Sequence, residues 1–397
     1  MEGVGLKGFH LTQGGEQDAN FWYDPACQNL ISTKEIALPT SQLYDSTRAV
    51  IAQRLPTVID SQLDTLALLV VGISQSVSAQ IGKIARALPL DTTQQAKEQR
   101  IRRLLDNQRI TQADQYQPLA KAALSGLKGQ RVQLLIDRVL VQDHHNILVI
   151  SLAFRRRSLP LVWKALDHRG QSGFADQQEL FKQALALLPE QVRVSVHGDC
   201  EFRSQELFAW LRSQGHDALL GVTGRTLLAT TPETDSQPLE RWLYNRDTVV
   251  YLNGVYLTEA RIGPVNVIAW WARDDRDELI VRAVMTNLSA SWQTYLRGKR
   301  RMWIETVFRD WQSGGFHLDR SGLTDRERFE RLLLPLVIAY LWFVSVGRWV
   351  VKKGYRKQID DGEAHNWKFS LFQLGVGWKE RLASYTQAMP VLLYLYL

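Results

Sequence analysis

A chain of 397 residues, 45% apolar and 22% charged, is long enough to bury two or three domain cores, and its composition excludes a disordered or fibrous protein. Its 48 lysines and arginines against 41 acids leave a net charge of +7, a moderate surplus that favours polyanionic partners. Cys27 and Cys200 stand too far apart for a metal-ligand spacing, so incidental thiols in a reducing compartment are expected. The first residues lack a charged-then-apolar signal pattern. The most hydrophobic run, 332–346, contains Pro335 and falls short of the roughly 20 residues a spanning helix needs. A cytoplasmic protein with no membrane partner is expected.

Residues 1–40 mix Gly, Gln and Asn without periodicity and read as a poorly ordered leader. From about 46 to 107 the pattern is helical. Leu63, Leu66, Ala67 and Val70 recur at i, i+3, i+4, i+7, and Ile81, Ile84, Ala85 and Leu88 repeat the spacing before Pro89. Asp91 is placed to cap a third helix, whose apolar face is Ala96, Ile101, Leu104 and Leu105. Arg100, Arg102, Arg103 and Arg109 crowd its end. The segment 41–125 therefore reads as a helix-turn-helix-like DNA-binding domain or as a plain bundle with a solvated charged face.

From 131 the period shortens. Three strands are predicted at 131–142, 146–154 and 159–166, with His144 and His145 as residues of the first turn. A helix over 176–188, a strand over 192–196, a helix over 204–214 and a strand over 218–222 follow. The order βββαβαβ predicts an α/β protein with a mixed sheet, and 126–222 is read as the first part of a core domain. Residues 223–290 read as a β-rich insertion with a hairpin turn at Asn253-Gly254 and a second turn at 274–277. Core residues resume at 291–350. There a helix over 295–311 carries Trp303, Ile304, Val307, Phe308 and Trp311 on one face and Arg301, Glu305, Arg309 and Gln312 on the other. A buried helix follows over 332–350, then a helical basic region over 351–397.

Three carboxylates stand out. Asp137 interrupts the apolar strand RVQLLIDRVLVQ, where an unpaired charge is costly. Asp199 ends a neighbouring strand, where open α/β sheets place their sites, and Glu305 lies among cations. Brought together, they repel unless cations intervene. Two Mg²⁺ ions, or Mn²⁺, about 3.5–4 Å apart and bridged by Asp137, would serve phosphodiester chemistry, and all-oxygen ligands favour these ions over zinc. Each acid also has a structural reading: Asp137 paired with Arg138 or Arg155, Asp199 as a helix cap, Glu305 in an i, i+4 pair with Arg301 or Arg309. Glu201 is the decoy, two residues past Asp199.

The segments IDRVLV, HGDCEFRSQELFAWL and RRMWIETVFRDWQSGGFHLD resemble the three motif regions of bacterial insertion-sequence transposases of the DDE type. They are most similar to the cut-and-paste group with a β-rich insertion between the second aspartate and the glutamate, and the likeness runs from about 64 to 347. It implies an RNase H-like catalytic core in which Asp137, Asp199 and Glu305 are both catalytic residues and metal ligands. It implies attack by water on transposon-end DNA, then attack of the freed 3′-hydroxyl on target DNA. The partners implied are terminal inverted repeats, target DNA and a second copy of the chain, within the bacterial nucleoid. In the group's helix motif a Tyr precedes the Arg by three residues and a Lys follows the Glu by seven; Arg301 and Glu305 match, while Gly298 and Gln312 replace the other two. Arg297, Lys299, Arg300 and Arg309 are expected to join Arg301 and Gln312 in gripping DNA, as are Arg100, Arg102 and Arg103 in the N-terminal domain. The alternative is a catalytically inactive or domesticated DNA-binding relative, suggested by Gly298, Gln312 and the hydrophobic ending MPVLLYLYL.

Overall fold

Long helical periods in the first third and β-branched runs in the middle give the chain its two textures. The computed structural model describes residues 40–274, 276–363 and 366–384. The leader expected at 1–40 lies outside them apart from its last residue, as does the MPVLLYLYL ending.

Among the described residues six α-helices come first: α1 (Thr40–Arg54), α2 (Asp60–Ser76), α3 (Ile81–Ala87), α4 (Gln94–Asp106), α5 (Gln112–Gln115) and α6 (Gln117–Leu124). α2 is buried along Leu66–Ser74, which suits the centre of a helical layer. α4 does not start at Asp91. The Thr93 hydroxyl accepts the Ala96 amide and caps the helix, because a cap must stand two or three residues before the N–H it satisfies.

The sheet follows, with β1 (Arg131–Val141), β2 (His145–Phe154), β3 (Arg157–Leu166), α7 (Phe174–Ala186), β4 (Arg193–Gly198), α8 (Gln205–Ser213) and β5 (Asp217–Thr223). His145 is no mere turn residue: it opens β2 buried, stacked on Phe329, with Nε2 2.8 Å from the Leu323 carbonyl oxygen. Five more strands complete it: β6 (Leu227–Ala229), β7 (Gln237–Pro238), β8 (Val249–Leu257), β9 (Ile262–Arg273) and β10 (Leu279–Thr286). The order is β3-β2-β1-β4-β5-β10-β9-β8-β6-β7 in one mixed sheet. β1 is antiparallel to β2 but parallel to β4, and β4 is parallel to β5. Those five strands with their crossing helices form the RNase H-like α/β core, and β10 extends it by pairing antiparallel with β5.

Asn253-Gly254 is not a hairpin turn. β8 runs through it with a register shift between Leu252 and Val255, and the chain reverses after Leu257 instead. Gly254 at φ +70° supplies the left-handed residue of a β-bulge, while Asn253 and Asn266 side chains accept nearby amides.

The remaining helices are α9 (Trp292–Gly298), α10 (Trp303–Trp311), α11 (Arg326–Lys352) and α12 (Leu371–Ser384). The single helix expected over 295–311 is broken by a 3-10 turn at Lys299–Met302, just after Gly298. α11 is long and apolar enough to cross a membrane, but 83% of its apolar window is buried within the chain, as in a core helix. It meets α12 at two glycines. A Cβ on Gly347 would land on the Leu371 carbonyl oxygen, and one on Gly375 on that of Phe343. Gly347→Ala is therefore expected to cost about 1–3 kcal/mol through overpacking, read as a lower urea midpoint at unchanged slope.

Candidate active site

Sheet register brings the first two acids together. β1 and β4 pair Ile136 with Gly198, so Asp137 and Asp199 are the next residues on adjacent parallel strands. Asp137 is 8% exposed. Its Oδ1 accepts the Arg138 backbone N–H at 2.8 Å. In Asp199, Oδ1 likewise accepts the Glu201 N–H at 2.8 Å and caps the short turn Cys200–Phe202. The cap reading of Asp199 is thus correct for one oxygen, leaving the other to face the site.

The turn that carries Asp199 packs tightly against the sheet because of glycines that hydropathy and spacing do not single out. A Cβ on Gly221 of β5 would stand 2.7 Å from the Cys200 nitrogen and 2.8 Å from the Asp199 carbonyl carbon. One on Gly198 would stand 2.9 Å from the Phe202 Cβ. A glycine inside a strand is the available signal for such an approach, though nothing local says which backbone is approaching.

Glu305 enters from the first turn of α10, whose Ile304, Val307, Phe308 and Trp311 are buried. A buried pair between Arg157 of β3 and Asp310, 3.1 Å apart, ties α10 to the sheet. Burial pushes the Asp310 carboxyl up to about 7, against the pull of Arg157 and Arg309.

All three acids meet on Arg301. One guanidinium nitrogen lies 3.1 Å from Asp137 Oδ2 and 3.5 Å from Asp199 Oδ2, and the other lies 2.9 Å from Glu305 Oε1. The Arg301 side chain is only 17% exposed. Asp137 feels the crowding most. Burial raises its carboxyl to about 7, Arg301 pulls it down, Asp199 pushes it up, and the Arg138 N–H and Glu305 add smaller opposed effects. Among the described residues no three acidic, histidine or cysteine side chains form a ready metal cage. The point the three carboxylates share is taken by the guanidinium.

Glu201 is committed elsewhere. It accepts two bonds from Arg138 Nε at 3.1 Å and others from the Ser172 amide and hydroxyl. Arg138 in turn donates to Asn146 Oδ1 at 2.9 Å. This pair straps the residue after Asp137 to the turn after Asp199. His197, fully buried between the strands, faces the Ser195 hydroxyl at 3.1 Å; burial, with Arg300 and Arg297, depresses its pKa to about 3 and keeps it neutral.

The cationic residues divide. Arg301 and Lys299 line a cavity of about 980 Å³ beside Asp199, together with Arg225, Trp270, Trp271 and Arg282. Arg297 and Arg300 line a different cleft. Arg309 is exposed on α10, and Gln312 ends that helix with its carbonyl accepting the His317 amide at 2.9 Å. Arg100, Arg102 and Arg103 lie on α4, which packs on α2, α3 and α11. Tyr295, one turn before Gly298, is buried edge-on against Trp270. A Cβ on Gly298 would find its nearest neighbour at an ordinary 3.7 Å, so packing does not demand glycine there.

Residues 168–342 match the family model described as a transposase DDE domain. No curated protein matches the chain. Fold and match agree on a DDE-type domain, a class that acts on DNA. Those residues carry a transposase DDE domain, and the function this domain supports is DNA transposition. The matched span contains Asp199 and Glu305 and begins after Asp137, which joins them by geometry alone.

Gly221→Ala is expected to displace the Asp199 backbone while leaving DNA affinity intact. DNA cleavage by this variant should fall at least ~10-fold, since a misplacement of about 1 Å can cost 100-fold. Wild-type cleavage with alanine at 221 would show that the close approach is dispensable.

Proposed function

We propose that the chain cleaves DNA at the ends of a bacterial insertion sequence and joins the freed 3′-hydroxyl to target DNA, with Asp137, Asp199 and Glu305 as its catalytic acids. The observation that carries this reading is the convergence of three carboxylates, from β1, the end of β4 and α10, on the single guanidinium of Arg301. Open α/β sheets place their sites beyond the C-terminal ends of strands, and clustered, shifted carboxyls are found at functional sites.

The donor set suits a hard divalent cation, because each acid turns a carboxylate oxygen toward one shared point already taken by positive charge. Asp137, Asp199 and Glu305 would hold Mg²⁺, or Mn²⁺, as a pair. Bound there, such ions supply activation of the attacking water or hydroxyl and stabilisation of the leaving oxygen. Arg301 keeps the acids assembled until then, and its planar fork is suited to a DNA phosphate once it leaves them. Lys299 and Arg309 add phosphate contacts near the acids that compensate for the missing Tyr and Lys at Gly298 and Gln312, while Arg297 and Arg300 contact phosphates farther away. Arg100, Arg102 and Arg103 give the N-terminal helices a DNA-facing charge. Two copies of the chain assemble on DNA so that both ends are processed together, in the cytoplasm at the nucleoid.

The decisive experiment incubates the protein and Mg²⁺ with a DNA fragment bearing the inverted repeats that flank its coding sequence. Cutting at the repeat boundary, abolished by Asp137→Ala, is expected; binding without cutting would overturn the catalytic reading.

Arg301→Ala separates the guanidinium's two roles. Without metal the variant should melt below wild type, because three carboxylates lose their counter-ion. Saturating Mg²⁺ should then raise its melting temperature by roughly 5 °C more than that of wild type, the size expected for a ligand well above its Kd. A metal response equal to that of wild type would remove Arg301 as the placeholder.

A further inference from the structure

Away from the acids, Arg297 and Arg300 line a second cleft, of about 550 Å³, between the starts of β1 and β4, the β2–β3 turn and the segment joining α9 to α10. Arg131, Arg155 and Arg193 complete its wall, against one acid, Asp217. Among the described residues none of the five arginines has a carboxylate partner. Two are held over aromatic rings instead: Arg155 lies 5.8 Å from the Phe154 centroid, and Arg300 lies 5.5 Å from that of Trp303.

The turn adds an independent observation. β2 and β3 are joined by Arg155-Arg156 alone, with φ of +45° and +65°. A two-residue hairpin with both residues left-handed favours Asn-Gly, and ordinary side chains are strained there. Two arginines hold these positions against that preference, so charge at the tip outweighs backbone comfort.

Strand alternation puts Arg131 on the same side of β1 as Asp137, and Arg193 on the same side of β4 as Asp199. Six residues separate each pair, about 20 Å along the sheet, or roughly six base pairs of duplex. Five like charges around one void repel each other unless a polyanion neutralises them. Guanidiniums on exposed strand ends and a turn tip grip phosphates without reading base edges.

We propose that this cleft seats the phosphate backbone of target DNA, bound without regard to sequence, while the acids engage the element's end. The inference rests on the proposed two-DNA reaction, and its test is separable from that reading. The probe is a labelled random-sequence duplex of ~30 base pairs, titrated by fluorescence anisotropy over a series of salt concentrations. The variant Arg131→Gln/Arg155→Gln/Arg193→Gln should bind at least ~10-fold more weakly and flatten the slope of log affinity against log salt by roughly 2–3, near 0.9 for each phosphate no longer neutralised. The triple Lys variant at the same positions should keep the wild-type slope, which excludes unfolding as the cause. Cutting at the inverted repeat should stay at the wild-type level while joining to a plasmid falls at least ~10-fold. An unchanged salt slope would overturn the site, and equal loss of cutting and joining would reassign it to the element's end. Asp137→Ala should keep the wild-type slope, so failure of the cleavage assay alone would leave this inference standing.

Discussion

One guanidinium shared by three carboxylates is the constraint from which the rest of the site follows. Two aspartates held on neighbouring strands, one of them buried, repel each other and Glu305 unless a cation stands between them. Arg301 meets that need with side-chain reach alone, because it lies four residues before Glu305 and across from both strand ends. Backbone amides fix the inner oxygen of each aspartate, so the outer oxygens present one face to whatever cation occupies the centre. The fold itself therefore holds the three acids together, with Arg301 as the cation at their centre.

That arrangement needs the strand ends to be close, and the sheet supplies the closeness twice. Gly221 lets the Asp199 backbone lie against β5, and the Arg138–Glu201 pair draws the residues beyond the two aspartates together from the other side. Glu201 illustrates why a carboxylate two residues from Asp199 need not join the cluster on Arg301. It accepts from Arg138 and Ser172, and its lone pairs are spent there.

Much of this was legible because the signals were local. An aspartate inside RVQLLIDRVLVQ is anomalous by hydropathy alone, and the run 131–166 alternates as a meander should. Other features depend on partners that local sequence does not name. Asn253-Gly254 carries the strongest short hairpin signal, yet Asn266 and the Ala290 amide engage it and β8 continues as a bulge. Thr93 outcompeted Asp91 as a cap by a two-residue offset, within the usual uncertainty of helix ends. Gly221 looked like any strand glycine until the Asp199 backbone was placed against it. Nor did the pattern reveal that the strands after 223 would join the core sheet edge to edge through β10 and β5.

The break at Lys299–Met302 carries the last consequence. In a continuous α-helix from 295 to 311, residues 297, 300, 301 and 304 would share one stripe, and the cations would crowd the buried face that Ile304 requires. The 3-10 turn changes the rotation per residue, so Arg297 and Arg300 stay three apart on one side while Lys299 and Arg301 turn to the other. One short basic run thereby serves two surfaces, the acid cluster on one side and the arginine-walled cleft on the other. A residue with a higher helix propensity than Gly298 would favour continuing the helix, which gives glycine at that position a reason that packing alone does not supply.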